Sequence, residues 1–591
     1  MQLKLRSEVE KEFTWKLEDI FENDDIWEQE FARLQKDIKV FEGFNNDSFL
    51  DNLLDILNAK TAINERTEKI YVYAHLKKDQ DNSNSIYQGM ASRSQSLLID
   101  FETEISFIVP KILEIDEVTI QKIMDSPEFN DYKFLLENII REKKHILSPE
   151  IEKILALSGE IAESADNIYQ MLDYADLDFD YFEHNGERFY LSHGNFSEYI
   201  HDHNREIRKG AFKKLYAAYK SHENTFSAIL FASLKSDVFY SKVRKFDSSL
   251  DMALFDENVG KDVYLNLIQT IHENIDKLHK YLDLKQRVLK VDKLHLYDAY
   301  APLSDAEWNV DYEQAQEIIL NALAPLGEEY CSIIKRAFNE RWIDVYENKG
   351  KTSGAYCWGA YGTHPYILMS YKNDIDSLFT LIHELGHAMH SYYSNKTQTY
   401  NNAQYKIFVA EVASTFNEAM LIDYLLKNYS DKRLQARLLN YYLEQFRTTV
   451  FRQVMFAEFE IKTHDIVENG GALTADIFKQ EYTKLNKLYF GKNVEIDKEI
   501  GLEWARISHF YNAFYVYKYA TGFSAAIALS QAVLKDEGDA KLRYKEFLAS
   551  GGSDYPIELL KRAGVDLTTN KPIQEAINVF ENALDQLEAI L

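Results

Sequence analysis

The chain has 591 residues, of which 46% are hydrophobic and 27% charged, and carries a formal net charge of −28 at pH 7. That composition is globular and not disordered, and the length suits two to four domains or one large interlocked helical body. The acidic excess argues against nucleic acid and anionic membrane as partners, since both need clustered Lys and Arg. Two cysteines, Cys331 and Cys357, are too few for a disulfide framework and point to a reducing, cytoplasmic setting.

The opening MQLKLRSEVEKEFTW has no apolar core of a secretory signal, and no run of about 18 apolar residues predicts a membrane span. Only eight prolines occur, none between Pro149 and Pro302 and none between Pro365 and Pro556, so both intervals can hold long helices. The first begins with Ser148 as a natural N-cap and Pro149 at the first helical position. Ile151, Ile154, Leu155, Ile161 and Ile168 then recur at helical intervals. Residues 177–191 place Asn185-Gly186 between alternating segments, which predicts a hairpin. Helices are predicted around 205–245, 260–290, 405–465 and 500–535. Residues 343–371, rich in Gly and aromatics, predict a small sheet leading into the next helix. Its 354–371 part could offer a strand edge to a peptide backbone, with Gly354 and His364 as substrate-binding candidates. The fold class is therefore mostly α, with a small sheet beside the helix that follows it.

That helix carries the chemistry. In DSLFTLIHELGHAMHSYYS, residues 376–394, His383-Glu384-Leu385-Gly386-His387 fits H-E-x-x-H. Imidazoles four residues apart project from one face and can converge on one zinc ion. Glu384, about 100° further round, can act as base on the attacking water without being a ligand. Leu378, Leu381, Ile382, Leu385 and Met389 give the helix an apolar face, and Asp374 or Asp376 could cap its start. Histidine is scarce, 16 in 591, which sharpens the motif. A catalytic zinc needs a third protein ligand. Glu411 and Glu418, in the otherwise apolar stretch IFVAEVASTFNEAM, fall on one helix face. One carboxylate can ligate the metal while the other orients an imidazole. The third histidine of metzincins is excluded, because Tyr393 holds that position.

TLIHELGHAMHS and FVAEVASTFNEAM, together with GAYCWGAYGTHPYILMSY, WARISHFYNAFYVYKYATG, SGGSDYPIELLKRAGVD and the opening FTWKLEDIF, resemble the oligoendopeptidase F branch of the thimet oligopeptidase family over nearly the whole chain. The resemblance implies a helical body enclosing a deep channel that admits short unfolded peptides, with one Zn²⁺ per chain. It implies an N-terminal helical lobe over 1–200 and a catalytic domain over 201–591. It makes Glu411 the third metal ligand and Glu418 the support of a ligand histidine. It carries the family's late histidine and tyrosines onto His509, Tyr515 and Tyr519, with His509 and Tyr515 donating to the developing oxyanion and Tyr519 meeting substrate. The chain departs from the thimet branch where a further tyrosine would align, near Gly522. As an unaided reading of the residues, Tyr511, Tyr515 and Tyr519 share a helical face that could equally be core packing. His390 reads as structural. Two other classes are a metallocarboxypeptidase, for which Arg506 would have to read a free C-terminus, and a catalytically silent peptide binder, which the intact Glu384 opposes.

Overall fold

In the computed structural model, which describes residues 3–591, most of the chain is helical. The elements used below are, in chain order, α1 (Leu53–Gln80), α2 (Ser85–Ile105), α3 (Pro149–Gln170), β1 (Tyr181–His184), β2 (Glu187–Tyr190), α4 (Arg205–Ser221), α5 (Glu223–Val243), β3 (Ile343–Asp344), β4 (Tyr356–Trp358), β5 (Tyr366–Leu368), α6 (Ile375–Thr397), α7 (Ile407–Asn428), α8 (Lys432–Phe446), α9 (Arg452–Glu468) and α10 (Tyr517–Leu534). The chain divides into two compact units. One comprises Met1–Lys144, Trp308–Leu425 and Leu529–Gly564; the other comprises His145–Glu307, Leu426–Ala528 and Val565–Leu591. Among the described residues no helix is long and apolar enough to cross a membrane.

In the first unit, α1 and α2 pack around a core that includes Trp27, Ile56, Leu76, Leu97 and Phe101, and the sheet residues Tyr366 and Leu368 join the same core. The predicted sheet is present with strand order β3–β5–β4. Ile343 pairs with Ile367 in the parallel ladder, and Cys357 pairs with Ile367 in the antiparallel one, so β4 lies at an edge. Asp344 is fully buried at the end of β3, where Lys351 meets it at 2.6 Å and Arg6 also binds it. A buried carboxylate is tolerable only with such compensation. Asp374, not Asp376, caps α6: its Oδ1 accepts from the Ser377 N–H at 2.8 Å. The predicted apolar residues Leu378, Leu381, Ile382, Leu385 and Met389 are all buried, and so are Phe379 and Ala388. Thus α6 is covered on more than one face.

In the second unit, the hairpin forms where predicted, with Asn185 at φ 52° and Gly186 at φ 81°, the paired positive φ values of a tight hairpin turn. Helix α3 also forms, and of its predicted apolar residues Leu155 is buried while the four isoleucines are exposed. Ile154 is 64% exposed, Leu157 69% and Ile161 76%, while Leu155, Ala165 and Tyr169 face inward towards α5. Periodicity located the helix, and packing against α5 decides which of its residues are covered. The Ser148 side chain makes no capping bond at its start; the Leu147 N–H donates instead to Glu152 Oε1 at 2.8 Å. The 405–465 region divides into α7, α8, a π-helical turn at Arg447–Phe451, and α9. The predicted helix over 500–535 is replaced by two 3₁₀ turns, Lys498–Arg506 and Ser508–Tyr511, an irregular stretch, and α10 from Tyr517 onward.

Candidate metal centre and tyrosine cluster

One turn of α6 separates His383 from His387, whose ring centroids are 4.9 Å apart. Helix α7 brings Glu411 to both: its Oε2 is 3.4 Å from His383 Nε2 and 3.5 Å from His387 Nε2. One ligand atom from each of the three residues falls within 4.8 Å of the others. Two imidazoles and a carboxylate are a donor set that suits a catalytic zinc ion. The second nitrogen of His383 is committed elsewhere, since Nδ1–H donates to Glu418 Oε1 at 2.5 Å. That bond selects the tautomer that leaves Nε2 free as a ligand. The two acidic residues of α7 thus occupy different positions around the same imidazole, a distinction their spacing alone left open.

Close approach of the two helices explains the convergence. A Cβ on Gly386 would stand 2.5 Å from both Ala413 O and Ser414 Cα, so only glycine lets α6 and α7 meet there. Asn417, wholly buried, donates to the Ile382 carbonyl across the contact at 3.4 Å and accepts from the Tyr330 hydroxyl at 3.1 Å. Ser414 donates to Glu411 Oε2 at 3.0 Å. The sequence reading missed Gly386, Ser414 and Asn417 as parts of the site. Their signal was available in retrospect: a glycine inside an apolar helix, and polar residues three apart, Ser414 after Glu411 and Asn417 after Ser414.

Electrostatics separate the roles. Without an ion, burial opposes a charge on His383, but its bonds to Glu411 and Glu418 outweigh that and lift its pKa to about 10, so an ion at Nε2 would displace a proton. Burial, with His383 beside it, pushes His387 down to about 4. Burial also works against ionisation of Glu411, yet the histidines hold it at about 2. Glu384, 6% exposed and with an unpartnered Oε2, is raised by burial to about 7. A carboxyl poised there can take up and give back a proton near neutrality. Burial, and then Glu384, push the thiol of Cys357, in the middle of β4, well above its ordinary range, which opposes a nucleophilic role. His390 is fully buried and stacks on Tyr405 at 3.7 Å, in keeping with a packing role.

The sheet candidates are placed as follows. Gly354 has φ 89° in open space before β4. His364 stacks on Trp342 at 4.9 Å, and its nitrogens lie 2.8 Å from the Pro365 carbonyl and 3.3 Å from Asp19. Both ring nitrogens are therefore engaged within the protein.

In the second unit His509, Tyr515 and Tyr519 come together. The His509 and Tyr515 rings are parallel at 5.9 Å, Tyr515 and Tyr519 are edge-on at 5.3 Å, and His509 Nε2 lies 3.3 Å from the Tyr519 hydroxyl. Burial, followed by the charge of Arg452, lowers the pKa of His509, so it stays neutral at pH 7. The shared helical face of Tyr511, Tyr515 and Tyr519 does not exist. Tyr511 belongs to the preceding 3₁₀ turn and stacks on Tyr169 at 4.4 Å. Between them Phe514 takes φ 57°, which breaks the helical path. Arg506 lies 3.6 Å from Glu503 and 5.3 Å from the Phe196 ring centroid.

Comparison with known proteins agrees with this geometry. The model of Peptidase family M3 matches residues 198–579, and that of Oligopeptidase F matches residues 111–179. The chain is 45% identical over 596 residues to oligopeptidase PepF of Bacillus subtilis (strain 168), covering 100% of this chain and 89% of that protein. It is 37% identical over 593 residues to an oligoendopeptidase F homolog of Lactococcus lactis, covering 100% and 99%. The crystal structure of oligoendopeptidase-F from Enterococcus faecium superposes with a TM-score of 0.74 at 36% identity, covering 96% and 99%. A crystal structure from Chlamydophila abortus superposes with a TM-score of 0.93 at 35% identity over 100% of both chains. With a family model matched across most of its length and such relatives along all of it, the chain belongs to peptidase family M3, in its oligoendopeptidase F branch, and is a metalloendopeptidase.

Proposed function

We propose that the chain is a zinc-dependent oligoendopeptidase that hydrolyses internal bonds of short, unfolded peptides. The observation that carries this reading is the convergence of His383, His387 and Glu411 with Glu418 fixed behind His383. Those three residues would hold the ion, one per chain. When bound, it would supply Lewis acidity to the scissile carbonyl and to the attacking water. Glu384 takes the proton of that water and delivers it to the leaving amine, a cycle suited to a buried carboxyl with an unpartnered oxygen. Neutral His509 and the Tyr515 hydroxyl donate hydrogen bonds to the developing oxyanion, and Tyr519 contacts substrate. The edge strand β4 pairs with the peptide backbone, with Gly354 and His364 both in the 354–371 segment that presents it.

Residues 1–200 are the N-terminal part and 201–591 the catalytic part, a division of the sequence, distinct from the two compact units, that family matches at 111–179 and 198–579 support. The net charge of −28 supports peptides, and not nucleic acid or anionic membrane, as partners. Free Cys331 and Cys357 suit a cytoplasmic setting. The test is digestion of a peptide blocked at both ends. Internal cleavage that stops on chelation is expected; cleavage only after unblocking the C-terminus, or none with zinc bound, would refute the reading.

A further inference from the structure

The segment 509–515 carries two of the groups assigned to the oxyanion, yet it has no regular structure of its own beyond one 3₁₀ turn. Tyr511 in its middle stacks on Tyr169 and Phe514 also meets Tyr264, while both ends are held by one face of α9. At its first end, Phe510, next to His509, packs against Phe456 at 5.5 Å and Phe459 at 5.2 Å between ring centroids. At its other end, Phe514, next to Tyr515, is 2% exposed and sits with its ring 4.3 Å from that of His464. Phe514 also holds the left-handed φ of 57°, a conformation that bulky L-residues adopt only under constraint. The constraint is visible. The buried Phe514 N–H donates to Glu460 Oε1 at 2.7 Å, and Glu460, from the middle of α9, is itself 2% exposed. Without that acceptor the N–H would be left buried and unpaired, and the turn would lose the bond that favours its unusual backbone.

We propose that Glu460 is a positioning residue: by holding the Phe514 N–H it sets the left-handed turn that aims the Tyr515 hydroxyl and keeps it in register with His509. This rests on the role given above to Tyr515. Glu460 does not touch the reacting atoms and acts only through the backbone it grips. Its carboxyl is pushed well above the ordinary range by burial, with Phe514 pulling the other way and Asp237 adding to the rise. A neutral amide of the same shape should therefore replace it. The sequence gives no hint of this contact, because a glutamate in FEIKTHD has the look of a solvated helix position.

The test compares Glu460→Gln, Glu460→Met and Glu460→Asp with Tyr515→Phe and the Glu460→Met/Tyr515→Phe double variant, all with metal content checked. Glutamine retains the acceptor and should restore near-parental kcat. Methionine removes the acceptor and should lower kcat about 10- to 100-fold with KM little changed, since misplacement of a group by about 1 Å has that effect. It should also speed amide hydrogen exchange at Phe514. Aspartate withdraws the acceptor by one methylene and should do the same if the methionine variant does not fold. The double variant should be no worse than its poorer single parent, because both lesions remove one donor. Normal kcat in the Met and Asp variants overturns the proposal, as does a glutamine variant as impaired as methionine, or an additive double variant. If Tyr515→Phe alone is fully active, the assignment of Tyr515 falls and the clamp falls with it. If Tyr515→Phe is impaired while Glu460→Met is not, only the clamp falls.

Discussion

The contact between α6 and α7 can be tested with one methyl group. In Gly386→Ala the new Cβ would lie 2.5 Å from Ala413 O and Ser414 Cα and 2.8 Å from Ala413 C, all backbone atoms that no side-chain rotation can relieve. Ordinary contact begins at 3.4 Å, so the helices must part by about 0.9 Å locally. The proposed metal ligands sit on both sides of that contact: His383 and His387 on α6, Glu411 on α7. Metal sites tolerate departures of about 0.2 Å in ligand distance, several times less than the required shift. Overpacking of this kind costs about 1–3 kcal/mol, and rigid backbone neighbours place it near the upper end. Alanine's better helix propensity offsets about 1 kcal/mol. We expect a net destabilisation of about 2 kcal/mol and a loss of metal affinity of about tenfold or more. Denaturant unfolding of the metal-free protein and a competitive zinc titration read the two effects. An alanine variant as stable as the parent, or one binding zinc equally well, would refute the reasoning.

Other expectations follow from the same geometry. Glu418→Gln should weaken zinc binding about 10- to 100-fold, as read by competitive chelation, because the amide cannot hold His383 in its ligand tautomer as well. Tyr515→Phe should lower kcat by about 10²–10³ with unchanged zinc content, the usual consequence of removing one oxyanion donor; a normal kcat with only a lowered melting temperature would assign the ring to packing. In the second unit, Glu444 meets Lys285 at 2.8 Å and Arg447 at 2.7 Å, and although burial opposes its ionisation these cations hold its pKa at about 2. A carboxylate depressed in the folded state contributes stability that is complete above its unfolded pKa and lost as the pH falls from there towards about 2. Glu444→Gln, which strands both cations, should cost about 3–5 kcal/mol at pH 7 and flatten that acid limb in pH-dependent unfolding.

What the sequence disclosed was local. The i, i+4 histidines, the capping aspartate before them and the Asn185-Gly186 turn each act through neighbours within a few residues, and each formed where expected. What it withheld depends on partners far along the chain. The isoleucines of α3 mark a helix, but which face is covered is decided by α5, and the covered side chains are Leu155, Ala165 and Tyr169. The path through 507–516 contains no proline or glycine to announce a break. The break is imposed by Glu460, some fifty residues earlier. Gly386 looks like an ordinary helix position until α7 is laid across it. The family resemblance supplied the roles proposed for Glu411 and Glu418; in the structure one faces Nε2 and the other Nδ1 of the same imidazole.

The most direct test of the central claim, a metal site served by a separate base, is zinc content and peptide turnover measured on one preparation of Glu384→Gln. Glutamine keeps the shape of the side chain and cannot take a proton. We expect one zinc ion per chain, as in the parent, and turnover of a blocked peptide reduced to background. Retained turnover would remove Glu384 from the chemistry, and loss of the metal would make it a ligand and contradict the arrangement described here.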